Sequence, residues 1–202
     1  LAALSLGRRA LESPAAAQVY TEEELTRYRA YAKLVQGLAH GTVALLYAEG
    51  FVVDETTDLE VPQDPLPYGE LIARALGYFD EAIRLAATRS LTFPFEWMRT
   101  DLDSQGLIRL AHSYKARLRA QVARTPEERS AVDWGAVVAD VDAGIQSTLV
   151  LDMDWNADWW NAVLDLSTYT NWSSLPYFIY GMADQSGAVA EWYALPFSDA
   201  GV

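Results

Sequence analysis

One periodicity constrains this chain more than any other feature. From Leu25 to Ala48 apolar or compact side chains recur at Leu25, Tyr28, Tyr31, Val35, Leu38, Thr42, Leu45 and Leu46. That spacing places them along one side of a long helix and predicts a partner helix against that side. Thr21, followed by Glu23 and Glu24, supplies a start: a threonine cap with acids at the positive end of the helix dipole. Gly50 is expected to close the helix.

Three more segments read the same way. Tyr68 to Ala87 and Leu107 to Ala123 are long amphipathic helices, and Asp133 is expected to cap a fourth from Trp134 to about Ser147. A short helix, Leu1 to Leu11, is closed by Ser13-Pro14, and Thr125 with Pro126 marks a brief helical turn. Between these lie a linker, Phe51 to Pro67, with five acids and three prolines, and a loop, Leu91 to Gly106, marked by Phe93-Pro94-Phe95. No alternation runs long enough to predict a sheet.

Two helices resemble each other. Ala75 to Ile83 aligns with Val137 to Ile145, pairing 75 with 137, 79 with 141, 82 with 144 and 83 with 145 as small or apolar residues, and Asp80 with Asp142. Small residues admit a neighbouring helix and the large one fills its groove. The expected fold class is therefore mainly all-α: tetratricopeptide-like helical hairpins with long insertions over residues 1–149. An irregular aromatic-rich segment, 150–202, is expected to pack on them. Trp134 is expected to hold the fourth helix on the third, against Leu118 or Val122.

Composition narrows the function. With 15 Lys+Arg against 28 Asp+Glu the net charge is −13, and 51% of residues are hydrophobic, which excludes a disordered acidic tail. Scattered basic residues in an acidic chain argue against nucleic acid. The absence of cysteine removes thiol nucleophiles, disulfides and Cys-based metal sites. No run of 18 apolar residues predicts a transmembrane helix. Leu1 opens inside a helix without an initiator Met, so a longer parent chain is expected, with any signal peptide or lipid-attachment site upstream.

Few residues offer chemistry. His40 and His112 sit inside predicted helices with no carboxylate or second His three or four residues away, and read as structural. Ser104-Gln105-Gly106 and Ser186-Gly187 lack the flanks of a nucleophile elbow, and no Gly-rich phosphate loop is present. The chain reads as a non-enzyme without a cofactor or metal. The run Asp152 to Asp158 has the alternating oxygens of a calcium loop, but Ala157 stands where the turn wants Gly and Val163 where a Glu belongs. Trp155, Trp159, Trp160 and Trp172 fall within eighteen residues. Trp159, Val163 and Leu166 share helical spacing and read as core. Trp155, Trp160 and Trp172 are the candidate ligand-facing rings, with Asn156 and Asp158 as hydrogen-bonding partners; indole faces stack on sugar C–H faces. The alternative reading places the whole cluster in a core.

Several phrases also carry a resemblance. Arg27-Tyr28-Arg29-Ala30-Tyr31-Ala32, Pro67-Tyr68-Gly69-Glu70-Leu71-Ile72 running into Tyr78-Phe79-Asp80-Glu81-Ala82-Ile83, Ala111-His112-Ser113-Tyr114-Lys115-Ala116-Arg117-Leu118, and Asp133-Trp134-Gly135-Ala136-Val137 with Asp142-Ala143-Gly144-Ile145 follow in order. Together they resemble the first four repeat helices of the SusD/RagB family of outer-membrane nutrient-binding lipoproteins. The chain departs from that pattern at Phe51 to Glu55 and in the Trp-rich segment. The resemblance implies a non-catalytic cell-surface protein that binds a glycan or other small nutrient over a TonB-dependent transporter, lipid-anchored through an upstream Cys. Two other readings stand beside it: a helical-repeat protein-interaction module or accessory subunit, whose acidic charge suits a basic partner, and a glycan-active enzyme.

Overall fold

The computed structural model describes residues 2–151 and 184–195. The chain divides into two compact units, Leu1–Leu151 and Asp152–Val202.

In the first unit the helices are α1 (Ala2–Leu11), α2 (Ala16–Val19), α3 (Glu22–Leu46), α4 (Tyr68–Ala86), α5 (Phe95–Met98), α6 (Ser104–Gln121), α7 (Pro126–Ala131) and α8 (Trp134–Asp142). Thr21 caps α3 as its periodicity requires: its hydroxyl accepts the Glu24 N–H, and the Glu24 carboxylate accepts the Thr21 N–H in return. Thr125 and Glu128 repeat that box on α7, with Pro126 at the first position. Each long helix packs on the next, α3 on α4, α4 on α6 and α6 on α8, and α6 also reaches back to α3.

The core lies where α3, α4 and α6 meet. Leu25, Ala30, Leu34 and Ala44 of α3 are buried against Leu71, Ala75, Phe79 and Ala82 of α4 and Leu107, Ala111 and Leu118 of α6. Two glycines set the approach. A Cβ on Gly37 would stand 2.9 Å from the Phe79 ring, and one on Gly41 would stand 2.5 Å from Leu118 Cδ1. Phe79 thus fills the space Gly37 vacates and stacks on Tyr114 of α6, with centroids 6.1 Å apart and planes 2° from parallel. Burying such a side chain stabilises the fold by roughly 1.5–3 kcal/mol.

The expectations change at several places. The helix from Glu22 ends at Leu46, before Gly50, which lies in a two-residue strand, β1 (Glu49–Gly50), paired antiparallel to β2 (Leu66–Pro67). A Cβ there would strike Val43 and Leu71, so the glycine serves close packing and not helix closure. The pairing closes residues 51–65 into a strap. The loop before α6 carries β3 (Thr92–Phe93) and β4 (Leu102–Asp103), an antiparallel pair flanking α5. Helix α8 ends at Asp142, short of Ser147.

Trp134 does not pack α8 onto α6: it is 51% exposed. The buried face of α8 is Val137 and Asp140, and at 3.6 residues per turn Trp134 lies about 90° around from it. The repeat alignment keeps its small buried pairs, 75 with 137 and 82 with 144, but breaks at its large central residue. Phe79 is fully buried but Val141 is 52% exposed, and Asp140, not Asp142, faces α6. Helix α4 packs on both α3 and α6; among the described elements α8 packs chiefly on α6.

In the second unit the described stretch carries one helix, α9 (Ala188–Ala194), where the sequence suggests an irregular segment. Asp184 organises its start, accepting from the Ser186 and Val189 N–H groups, and Gly187 takes a left-handed conformation with φ +86°.

Candidate functional site

The candidate ligand residues Trp155, Asn156, Asp158, Trp160 and Trp172, with the acidic run 152–158, lie outside the described residues. Within the described residues four places gather chemistry.

The first is the seat of the strap on α3. Lys33 is 4% exposed, yet it is charged and sits in the core, so it must be paired. Its ammonium lies 2.7 Å from Glu55 Oε1 on the strap and 2.9 Å from Glu81 Oε2 on α4. Gln36 donates to the other Glu55 oxygen at 3.0 Å, and Arg8 of α1 approaches at 3.4 Å. Arg9 donates to the carbonyls of Glu55 and Thr57. Burial pushes the Glu55 carboxyl up, but the Gln36 amide and the Lys33 ammonium outweigh it and hold it at about 2. Next to it, burial likewise opposes ionisation of Asp54, while Thr56, Tyr78 and Thr57 donate to it and bring it to about 2. The Tyr78 hydroxyl donates to Asp54 at 2.9 Å; its own burial and that carboxylate push the phenol up.

The second place is an ion set across α6. His112, Lys115 and Arg119 fall at i, i+3 and i+7, one face of the helix. All three converge on Asp140 of α8: His112 Nδ1 at 2.7 Å, Lys115 Nζ at 3.3 Å and Arg119 Nε at 2.9 Å. Lys115 also meets Asp80 of α4 at 2.6 Å. Burial raises the Asp140 carboxyl, but these three donors more than offset it and the net direction is down. A His–carboxylate pair can orient a general base. Here Ser113 beside it is occupied, donating to the Arg109 carbonyl and accepting the Ile145 N–H, and it offers no nucleophile. Lys115 and Arg119 also hold the Asp140 carboxylate. The arrangement ties three helices together. Sequence reasoning missed it because the partner of His112 stands 28 residues away, on another helix.

The third is a ring cluster. Trp97 of α5 packs on Tyr31 and Tyr28 of α3 at centroid distances of 4.7 and 5.6 Å, and Tyr20 meets Tyr28 edge-on at 5.3 Å. The Tyr31 hydroxyl donates to the Trp97 carbonyl at 2.6 Å. Trp97 also packs on Phe93 at 6.3 Å, so its ring is occupied from several sides and the cluster anchors the 91–104 loop to α3.

The fourth is a groove of about 560 Å³ between the start of α4, the end of α6 and α7. Ile72, Leu76, Val122, Ala123, Ala131 and Val132 line it, with Tyr68, Gly69, Arg119, Glu128 and Asp133 among its polar or backbone edges. Those polar groups are already engaged. The Tyr68 hydroxyl donates to Glu128, Arg119 holds Asp140, and Asp133 caps α8 through the Ala136 N–H. Arg124 covers the Tyr68 ring at 3.9 Å and donates to the Ala44 and Tyr47 carbonyls, satisfying the end of α3. What the groove offers an occupant is apolar surface. Gly69 borders it with open space where a Cβ would stand.

Among the described residues no cluster of three or more His, Cys, Asp or Glu is placed to hold a metal ion, and no helix is long and apolar enough to cross a membrane. Comparison with family models, curated proteins and solved structures finds no match for the chain.

Proposed function

We propose that this chain is the helical part of a cell-surface nutrient-binding protein of the SusD/RagB kind, non-catalytic, with the helices as scaffold and a glycan or other small nutrient as ligand. One observation carries the reading: the residues that make the resemblance are the ones that join the helices. Lys115, from the third phrase, pairs with Asp80 of the second and with Asp140, beside the fourth. Phe79 of the second phrase packs against Tyr114 of the third. Ala30, in the first, is fully buried. Phrases whose residues interlock across helices make a stronger resemblance than phrases scattered over a surface. In this reading tetratricopeptide-like hairpins form the scaffold, Trp155, Trp160 and Trp172 stack on the sugar with Asn156 and Asp158 as partners, and the protein works beside a TonB-dependent transporter at the outer membrane.

The test is binding of the natural full-length protein to a panel of oligosaccharides by calorimetry, with Trp155→Ala, Trp160→Ala and Trp172→Ala alongside. Saturable binding that weakens at least tenfold in one or more variants supports the reading. A panel with no binder, together with no transporter co-purifying from native membranes, sinks it.

The apolar groove favours a second reading, a helical-repeat module that seats an apolar segment of another protein. Its lining fits side chains and its polar edges are engaged within the fold. Gly69→Leu, which would place a side chain in that space, is expected to abolish partner capture under this reading and to leave oligosaccharide binding unchanged under the first.

A further inference from the structure

The strap is tied to α3 at two points of different chemistry. At one, Glu55 meets Lys33 and Gln36. At the other, the Val53 N–H donates to His40 Nε2 at 3.1 Å. His40 is fully buried, and its other nitrogen, Nδ1, lies 2.8 Å from the Gln36 carbonyl oxygen. A carbonyl only accepts and an N–H only donates. Both partners are backbone groups, so neither can reverse its role. The geometry therefore admits one form of the ring: hydrogen on Nδ1, a bare lone pair on Nε2, no net charge.

We infer that His40 is a proton-operated latch: neutral, it holds residues 51–53 of the strap on α3, and its protonation frees that limb up to Asp54, which Tyr78 still holds. An imidazolium carries hydrogens on both nitrogens, so Nε2–H would face the Val53 N–H, two donors with no acceptor between them. Turning the ring over does not help, because both nitrogens would still be donors. A buried donor without a partner is costly, and the ring has no exposed edge through which water could enter. The cheaper response is for the strap limb to move away.

The groups around the ring set where this happens. From α4, the Tyr78 ring lies 5.1 Å away, with its hydroxyl committed to Asp54. From α3 itself come the Gln36 carbonyl and, over the Tyr78 ring, the Lys33 ammonium. From the strap comes Asp54, whose negative charge favours a cation on His40. Burial is the largest influence and pushes the imidazole below its ordinary 6.5, against the Gln36 carbonyl and Asp54. Asp54 and Glu55, both held at about 2, stay ionised throughout that range. The Glu55 tie therefore survives mild acid and only the limb before it opens. The direction follows from linkage. The open form takes the proton more readily, so closure is complete above pH 6.5 and weakens as pH falls towards the lower value of the closed form.

The full chain decides the matter by NMR. The sequence holds two histidines, so the imidazole nitrogens give two spin systems, and His112→Gln assigns them. The expected result at pH 7.5 is His40 as the Nδ1–H tautomer. Below pH 6.5, exchange of the Val53 amide, corrected for its intrinsic pH dependence, should rise about tenfold per pH unit, while the amides of α3 and α4 stay protected. His40→Gln offers an acceptor that does not titrate, and its Val53 exchange should lose this pH dependence. The opposite tautomer, flat Val53 exchange through the titration, or the same pH dependence in His40→Gln would each overturn the latch. If that variant does not fold, the wild type decides alone. Coincident midpoints for the His40 imidazole and Val53 exchange support the latch, and separated midpoints refute it.

Discussion

Glu55 shows how one side chain can hold a segment that buries little apolar surface, with Phe51, Leu59 and Val61 exposed. The strap's acids and prolines cannot build a core, so its place is fixed by ion pairs and hydrogen bonds at Glu55 and by the Val53–His40 bond. Breaking a buried pair leaves its partner charged and short of ligands, so Glu55→Gln is expected to destabilise the fold by about 2–3 kcal/mol, read from urea melts at pH 7. The pH dependence is distinctive. Glu55 is held at about 2 in the fold against an ordinary 4.5, so its contribution is complete above pH 4.5 and is lost as pH falls through about 2. Stability of the wild type should fall across that interval more steeply than that of Glu55→Gln. The His40 response begins below pH 6.5, so its onset precedes that of Glu55. Lys33, His40, Asp140 and Glu55 were each legible as polar residues in the sequence. Their partners were not, because every decisive contact except those within α3 crosses between elements.

At the scale of elements, glycine has opposite meanings in adjacent helices. Gly37 in α3 marks where Phe79 enters, with 2.9 Å between an added Cβ and the ring. Alanine gains roughly 1 kcal/mol of helix propensity, but overpacking a fully buried aromatic costs about 1–3 kcal/mol. Gly37→Ala is therefore expected to lower stability by about 1 kcal/mol. Gly77 in α4 is exposed and has nothing within 4 Å of that position, so Gly77→Ala should raise stability by up to about 1 kcal/mol. Thermal unfolding of the two variants checks both signs at once. The helices themselves were readable, since caps at Thr21, Thr125 and Asp133 and the apolar period are local. Helix rotation was not. Trp134 is the largest apolar residue of α8, yet the helix turns Asp140 inward, because Lys115, Arg119 and the His112 ring of α6 present donors there and a carboxylate accepts from all three where an indole does not.

For the molecule as a whole, the first unit carries its own core, its capped helices and its ion sets between α4, α6 and α8. A fragment of residues 1–151 is expected to keep its helices and to unfold in a single transition, with coincident circular dichroism and fluorescence curves. Separate transitions, or loss of helicity on truncation, would mean that residues 152–202 complete the core. Within that unit Phe79→Ala should be the more damaging type of change, at about 3–5 kcal/mol, because α3, α4 and α6 all meet its ring.

The sequence by itself determined the helical class, the starts of α3, α7 and α8, the core-facing small and large residues of α4, and the acidic balance that argues against nucleic acid. These depend on neighbours a few residues apart, which a linear pattern records. Only the tertiary structure decided the course of the strap, the exposure of Trp134, the pairing of His112 with Asp140, the single tautomer of His40 and the apolar groove beside Gly69. Each arises from groups on different elements brought together by packing, and a buried charge or hydrogen-bonding nitrogen takes its state from whichever group the fold sets opposite it.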